Sequence, residues 1–292
     1  MKPIVVTGAA GTLGGGVTRK LAERGVAVRA VDFERPILDL DGVECVAADT
    51  SDHSTALEVT EGAQSILHLG AYHGVHLPRN DGAKSERDFF DANVGGTFNM
   101  LSAAAEHGIA KVTWASSVVV YERGTWRLFG IYSLSKVLGE EICAYYNREH
   151  GVRVIGLRYG TFGFGSFLDQ GFGMLGGLAH GNVIFVEDVV DGTIAAAEND
   201  RIDFGMYDLQ TPLPFTPEEE WEYLRGSRIE MLSKRWPQHT ALFERFEHML
   251  PREIKSVRMH RTLSDLGMTV RHDFPWFLDE LARRIDAGES LE

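Results

Sequence analysis

"VVTGAAGTLGG", Val5 to Gly15, sets four glycines and two threonines directly behind an apolar run and ahead of an amphipathic segment. Gly8, Gly11 and Gly14 recur every third residue across that junction. In such a context the first glycine permits a tight turn, the second lets the backbone approach a pyrophosphate, and the third lets the helix pack close to the strand. The helix beginning near Thr12 and Leu13 then offers free N–H groups and the positive end of its dipole to an anion. The same residues also read as a bare structural turn, so the rest of the sequence has to choose.

Outward from the loop, apolar runs bounded by turn residues alternate with helical patterns. The runs are 3–8, 25–32, 43–49, 63–71, 110–117 and 152–160; between them lie amphipathic stretches at 12–24, 85–107 and 132–150. Continuous apolar strands separated by helices predict a parallel sheet covered on both faces, an α/β, doubly wound fold. The order changes after about Gly160, where "GTFGFGSFLDQGFGMLGG" precedes a helical pattern at 187–199 and a mostly helical tail from Pro217. The predicted organisation is a core over 1–160 and a small helical lobe over 161–292, with 187–210 returning to the core.

Composition narrows the function classes. The chain has 292 residues, 44% hydrophobic and 24% charged, enough to bury a full core. Its net charge of −13, without a basic stripe, argues against a nucleic-acid partner. No apolar run approaches the ~18 residues of a membrane span, and the N-terminus enters strand-like sequence without a leader, so the expectation is a cytoplasmic protein. Cys45 and Cys143 have no partner spacing and read as buried thiols.

Asp32 ends the second apolar run, about 20 residues beyond the loop, where a carboxylate accepts hydrogen bonds from ribose hydroxyls and repels a 2′-phosphate. This predicts NAD over NADP. Arg35 is nearby but reads as a solvated loop arginine. Asp49 and Thr50 close the third run, where they either meet an adenine edge or cap a helix beginning near Ser51.

Several motifs in order resemble the extended short-chain dehydrogenase/reductase family, which includes NAD-dependent sugar epimerases, dehydratases and uronate dehydrogenases. "TGAAGTLG" is similar to its TGxxGxxG loop, "HLGA" (68–71) to HLAA, and "NVGGTFN" (93–99) to NVxGTxN. "SSVVVY" (116–121) resembles SSxxVYG, "YSLSK" (132–136) YxxxK, "FVEDVVDGTIAA" (185–196) HVDDVAxA, and "SDLGM" (264–268) the late LGW region. The resemblance covers most of the chain and implies a Rossmann core, NAD as cofactor and a C-terminal substrate lobe. It implies a catalytic set of Ser117, Tyr132 and Lys136. It also implies cofactor contacts at Gly8, Gly11, Thr12, Leu13, Gly14, Asp32, Asp49, Thr50, Leu69, Gly70, Ala71, Asn93, Tyr132, Lys136 and Tyr159.

Tyr132 and Lys136 stand four apart and share a helix face. An ammonium there is expected to favour the phenolate, so that Tyr132 can take a hydroxyl proton as hydride leaves the same carbon. Ser117 would hold the substrate oxygen. Asn93 is similar to the family asparagine that supports the cofactor region, or else bonds locally within its helix.

Departures from the family pattern choose among its reactions. Ser117 is followed by Val118, Val119 and Val120, which cannot move a proton, so the acid–base pair of a dehydratase is missing. No Lys or Arg occurs from Tyr159 through Asp200, which leaves a nucleotide diphosphate without a cationic clasp. "RYGT" and "HLG" look more like the uronate dehydrogenase branch, although the downstream arginine expected for a carboxylate is absent, so that either the sugar is neutral or Arg79 or Lys84 supplies the charge. The expectation is oxidation of a small sugar or sugar acid, with an epimerase that retains NAD and a non-catalytic NAD sensor as alternatives. Tyr72, His73, Ser117 and Thr161 are the candidate substrate contacts. His73 and His76 lack a third ligand for a metal. Trp221, Trp236 and Trp276 read as lobe core or anchors. Helices 85–107 and 132–150 resemble the pair through which the family dimerises, so a homodimer is expected.

Overall fold

The computed structural model describes residues 2–34, 38–77, 82–125, 130–162 and 183–289. Arg35, Arg79 and most of the glycine-rich stretch after Phe162 lie outside them. Two compact units are present: Met1–Tyr159 with Val190–Asp208, and Gly160–Val189 with Leu209–Glu292. The helix Val186–Glu198 carries the chain from the second to the first.

In the first unit, β1 (Ile4–Thr7), β2 (Val28–Asp32), β3 (Val43–Ala47), β4 (Ser65–His68), β5 (Lys111–Ser117), β6 (Arg153–Tyr159) and β7 (Phe204–Leu209) form a parallel sheet. Among the described residues its order is β3-β2-β1-β4-β5-β6-β7. The chain starts in the middle and winds outward first one way and then the other, which is the doubly wound arrangement of a Rossmann-type fold. The switch between β1 and β4 opens a crevice at the carboxyl ends of the strands.

Alternation decides what each face carries. Val5, Ile66, Val112, Trp114 and Val154 cluster with Met100 and Leu101 of α4 (Gly96–Glu106) and with Cys143 and Tyr146 of α5 (Ile131–His150). On α1 (Thr12–Glu23), Gly16 faces α6 (Val186–Glu198), where an added Cβ would lie 2.9 Å from Val190. Ion pairs Lys20–Asp191 and Arg24–Glu198 flank that approach. Strand β3 is an edge, and its side chains are only half-buried or exposed.

The predicted 85–107 helix is interrupted. Ser85 caps α3 (Glu86–Phe89) with a reciprocal bond to Asp88, a wide π turn follows at Phe90–Gly95, and α4 continues. Strand β7 falls outside the predicted strands. Cys143 is buried, whereas Cys45 is only half-buried on its edge strand.

The second unit has its own core of Phe215, Tyr223, Leu232, Trp236, Phe243, Phe274 and Phe277. Asp188, fully buried there, accepts bonds from the N–H groups of Arg271 and His272 and from His272 Nδ1. Trp236 belongs to this core and Trp276 packs on it, but Trp221 is 57% exposed beneath the Arg225 guanidinium. Its position on the acidic helix α7 (Pro217–Arg225) turns it outward, a correction to its reading as core. No helix among the described residues is long and apolar enough to cross a membrane.

Candidate active site

The glycine loop is built by close approach of backbone to backbone. Gly8 has φ +72°, and a Cβ on it would lie 2.8 Å from Gly70 Cα and N. A Cβ on Gly14 would lie 2.2 Å from the Gly8 carbonyl oxygen, and one on Gly11 3.2 Å from the same atom. Helix α1 starts at Thr12 with no side-chain cap from Gly11 and no acidic residue in its first turn. Its first N–H groups, at Thr12, Leu13 and Gly14, are therefore available to an anion. The cradle is lined by backbone where any side chain would intrude, which fits a pyrophosphate.

Thr7 ties this loop to β4. Its Oγ1 accepts from the N–H groups of Leu69 (3.1 Å) and Gly70 (3.0 Å) and lies 2.8 Å from His68 Nδ1. With both lone pairs engaged, the Thr7 hydroxyl donates to Nδ1, so His68 carries its proton on Nε2. Burial lowers its pKa to about 3, with the charge of Lys136 adding to the effect. Ala71 follows at the mouth of the strand, half-buried.

Asp32 ends β2 with its carboxylate turned to the loop, accepting from Ala10 N–H at 2.9 Å and from Phe33 N–H at 2.8 Å. A carboxylate so placed could accept hydrogen bonds from ribose hydroxyls. Asp49 accepts from Ser51 N–H at 2.8 Å, while Asp52, not Asp49, caps α2 (His53–Thr60) through Thr55 N–H. The Thr50 carbonyl accepts from Asn99.

Asn93 acts over long range, not within its own helix. The π turn directs it so that its Oδ1 accepts from Tyr72 N–H (2.7 Å) while its Nδ2 donates to the Tyr72 carbonyl (2.8 Å) and to Ser135 Oγ (3.0 Å). One buried amide thus fixes the segment after β4 to α5. The Tyr72 ring is stacked on Phe33 with centroids 5.7 Å apart, and the Lys84 ammonium lies 4.9 Å from its centroid. A hydrogen bond to Tyr72 raises the pKa of Lys84. His73 sits edge-on to His76, whose Nδ1 accepts from His73 N–H. Burial, the His76 charge and then the Lys136 charge bring His73 down to about 4, so it is a neutral hydrogen-bonding group near Lys136.

Ser117 is the last residue of β5, and Tyr132 and Lys136 open α5 beside it. The three come together, but their electrostatics differ from the expectation. Burial raises the pKa of Tyr132, and only a hydrogen bond from Ser117 opposes it. The Lys136 ammonium donates to the Ala115 carbonyl at 2.7 Å, lies 5.2 Å from the Trp114 ring centroid, and is 5.9 Å from that of Tyr132. Desolvation lowers it to about 8. The ammonium is held on the Ala115 carbonyl, and burial sets the direction of the Tyr132 shift.

Tyr159 pairs in register with Ser117 across β5 and β6, and its buried hydroxyl is bonded to Thr193 Oγ1 at 2.8 Å. Thr161 belongs to the second unit, bridged to Val183 and exposed. The motif residues did not disclose a polar chain behind the site: Ser116 donates to Glu140, Arg158 clasps Glu140 with two nitrogens, and Arg158 also donates to Tyr121, which donates to Asp208. Glu140 stands four residues beyond Lys136, and that interval is the one sequence signal that points to it.

A family model described as the NAD-dependent epimerase/dehydratase family matches residues 4–207. Over 171 residues the chain is 31% identical to a uronate dehydrogenase of Agrobacterium fabrum, covering 55% of this chain and 62% of that protein. It is 26% identical over 238 residues to UDP-glucuronate 4-epimerase 3 of Arabidopsis thaliana, covering 67% of this chain and 54% of the epimerase. The chain thus spans less than two thirds of either relative. A crystal structure of a UDP-galactose 4-epimerase shares the fold with a TM-score of 0.63 at 22% identity, over 97% of this chain and 99% of the other.

Proposed function

Because the chain belongs to the NAD-dependent epimerase/dehydratase family, we propose that it is an NAD-dependent oxidoreductase that oxidises a hydroxyl-bearing carbon of a small sugar or sugar acid. The observation that carries this reading is the convergence of Ser117, Tyr132, Lys136 and a neutral His73 in the unit that holds the Gly8–Gly14 loop. NAD, when bound, supplies the hydride acceptor. The loop glycines and first turn of α1 would hold its pyrophosphate, and Asp32 its ribose.

Tyr132 takes the substrate's hydroxyl proton, and Ser117, already hydrogen-bonded to the phenol, orients the same oxygen. Lys136, held by the Ala115 carbonyl one turn along α5, places a positive charge on the phenol's face of the helix. His73 offers a hydrogen bond without a charge, which suits a hydroxyl. The run Val118–Val120 supports oxidation over dehydration, since no acid or base follows Ser117. The absence of Lys and Arg from Tyr159 through Asp200 supports a substrate without a nucleotide diphosphate, and uronate is the first candidate.

The test is a panel of free uronates, aldoses and nucleotide sugars incubated with NAD and followed by reduced-nicotinamide absorbance. Net reduction with a free sugar supports the dehydrogenase. An epimer formed without net reduction makes the protein an epimerase, and NAD binding without turnover makes it a sensor. Tyr132→Phe abolishes turnover and leaves NAD binding nearly intact; a variant with full rate overturns the mechanism.

The proposed partner is a second copy of this chain, in the cytoplasm. Phe90 and Phe98 before and within α4, with Leu134 and Tyr145 on α5, expose 43%, 47%, 37% and 45% of their surfaces. Light scattering at dimer mass supports it, and a monomer mass rejects it.

A further inference from the structure

Phe33 directly follows the last residue of β2, and Tyr72 comes four residues after the last residue of β4. Between those two strands lies β1, which runs into the glycine loop. Neighbouring strands are about 4.8 Å apart, so the ends of β2 and β4 stand about 10 Å from each other with the start of the loop in the gap. Across that gap the two rings stack, with an interplanar angle of 14° and centroids 5.7 Å apart. Both ends of the bridge are rooted on the loop. The Asp32 carboxylate accepts from Phe33 N–H and from Ala10 N–H together, and Gly70, two residues before Tyr72, is the backbone against which Gly8 packs.

The two halves are held differently. Tyr72 is a fixed post: Asn93 bonds both its N–H and its carbonyl. Its ring packs on buried Phe89 at 5.8 Å and on His76 at 5.3 Å, with the Lys84 ammonium 4.9 Å from its centroid. Phe33 is 48% exposed, and its ring leans on Tyr72. An exposed side chain changes rotamer in nanoseconds or less, far faster than a dinucleotide arrives or leaves. A stacked aromatic pair is stable enough to hold such a ring closed, leaving it open roughly a tenth to a third of the time.

We propose that Phe33 and Tyr72 form an aromatic strap over the cofactor cradle, with Phe33 the leaf that swings aside to pass the dinucleotide and Tyr72 the post on which it closes. The inference rests on the reading of the Gly8–Gly14 loop as the NAD cradle, and it needs no sugar and no turnover. The strap spans the site whether the cradle is empty or filled, so it lowers entry and release by the same factor and leaves the equilibrium nearly unchanged. A ring that did no more than touch bound NAD would slow release and leave entry alone.

The full chain is mixed with NADH in a stopped-flow fluorimeter. Rates at rising NADH give entry, a chase with excess NAD gives release, and calorimetry gives Kd. Phe33→Ala raises both rates about threefold to tenfold and leaves Kd close to the parent value. Phe33→Tyr, which keeps a ring to stack, leaves both rates near the parent. Faster release with unchanged entry overturns the strap in favour of a simple contact; so do parent rates in Phe33→Ala, or a Phe33→Tyr variant as fast as Phe33→Ala. Tyr72→Leu removes the ring of the post and speeds both rates in the same way; if Phe33→Ala fails to fold, parent rates in Tyr72→Leu are sufficient to reject the strap. No saturable NADH binding by the parent chain overturns the cradle and the strap together, whereas a failed sugar panel beside faster entry and release indicts the substrate class alone.

Discussion

Three glycine-to-alanine variants separate the two things a glycine can supply. Gly25, at the C-terminal end of α1, has φ +73° and nothing within 4 Å of an added Cβ, so Gly25→Ala carries only the left-handed backbone cost, about 1–2 kcal/mol. Gly14 is helical and would gain about 1 kcal/mol in propensity from alanine. Its Cβ, however, would stand 2.2 Å from the Gly8 oxygen and 2.7 Å from the Gly8 carbonyl carbon. Those are backbone atoms with no rotamer to yield, so the overpacking cost of about 3 kcal/mol exceeds the gain and leaves a net loss near 2. Gly8→Ala carries both costs, since φ is +72° and Gly70 lies 2.8 Å away; the sum is about 4–5 kcal/mol. Urea denaturation followed by circular dichroism gives the stabilities, and calorimetry with NAD gives the affinities. The expected order of loss is Gly8 greatest, with NAD binding lost in the Gly8 and Gly14 variants and retained in Gly25→Ala. If Gly8→Ala proved no less stable than Gly25→Ala, the loop would not be built by close approach to Gly70, and the cradle argument would fail.

Asp32→Asn removes the charge that repels a 2′-phosphate, so the NAD-to-NADP affinity ratio drops at least about tenfold; calorimetry with both dinucleotides shows an unchanged ratio if another group discriminates. Asn93→Ala leaves the Tyr72 backbone groups and Ser135 short of partners and costs about 3 kcal/mol, read as a melting-temperature fall of roughly 6 °C or more; a drop of a degree or less would mean water replaces the amide. His68 resists protonation in the folded state, with its pKa held near 3 against 6.5 for the free side chain. Below pH 6.5 the unfolded chain therefore binds the extra proton and stability falls, by up to about 1.4 kcal/mol per pH unit, until the pH approaches the folded value; above 6.5 the contribution is fully present. Urea titrations at pH 7, 5.5 and 4.5 should show a shallower acid loss in His68→Gln, and parallel curves would reject the assignment.

The loop, the first six strands and the shared helix face of Tyr132 and Lys136 were legible because each is written in local spacing, whereas Ser117 joined them through the resemblance of "SSVVVY" and "YSLSK" to family motifs. Strand β7 was not, since Phe204 at an edge is exposed and no continuous apolar run announces it. The reach of Asn93 depends on a π turn that side-chain periodicity does not encode. Ser116 and Arg158 are set opposite one another only by the register of β5 and β6, with Glu140 reaching both from α5, and Thr7 and His68 meet only through that of β1 and β4. The balance at Tyr132 also escaped the sequence: four-residue spacing puts the phenol and the ammonium on one face, but burial and the Ala115 carbonyl decide where each points.

The wide turn at Phe90–Gly95 holds one residue more than a regular helical turn would. Removing any one residue from it would restore an ordinary helix and swing everything before it by about 100° relative to α4, carrying Asn93 or the Ser85 cap away from its partners. The segment therefore behaves as a ruler: its exposed positions accept exchange of one amino acid for another, but its count does not. In any set of related chains that keep the Asn93 clamp, gaps should fall outside 85–106, and a chain with a gap inside should have lost the bond to the Tyr72 backbone.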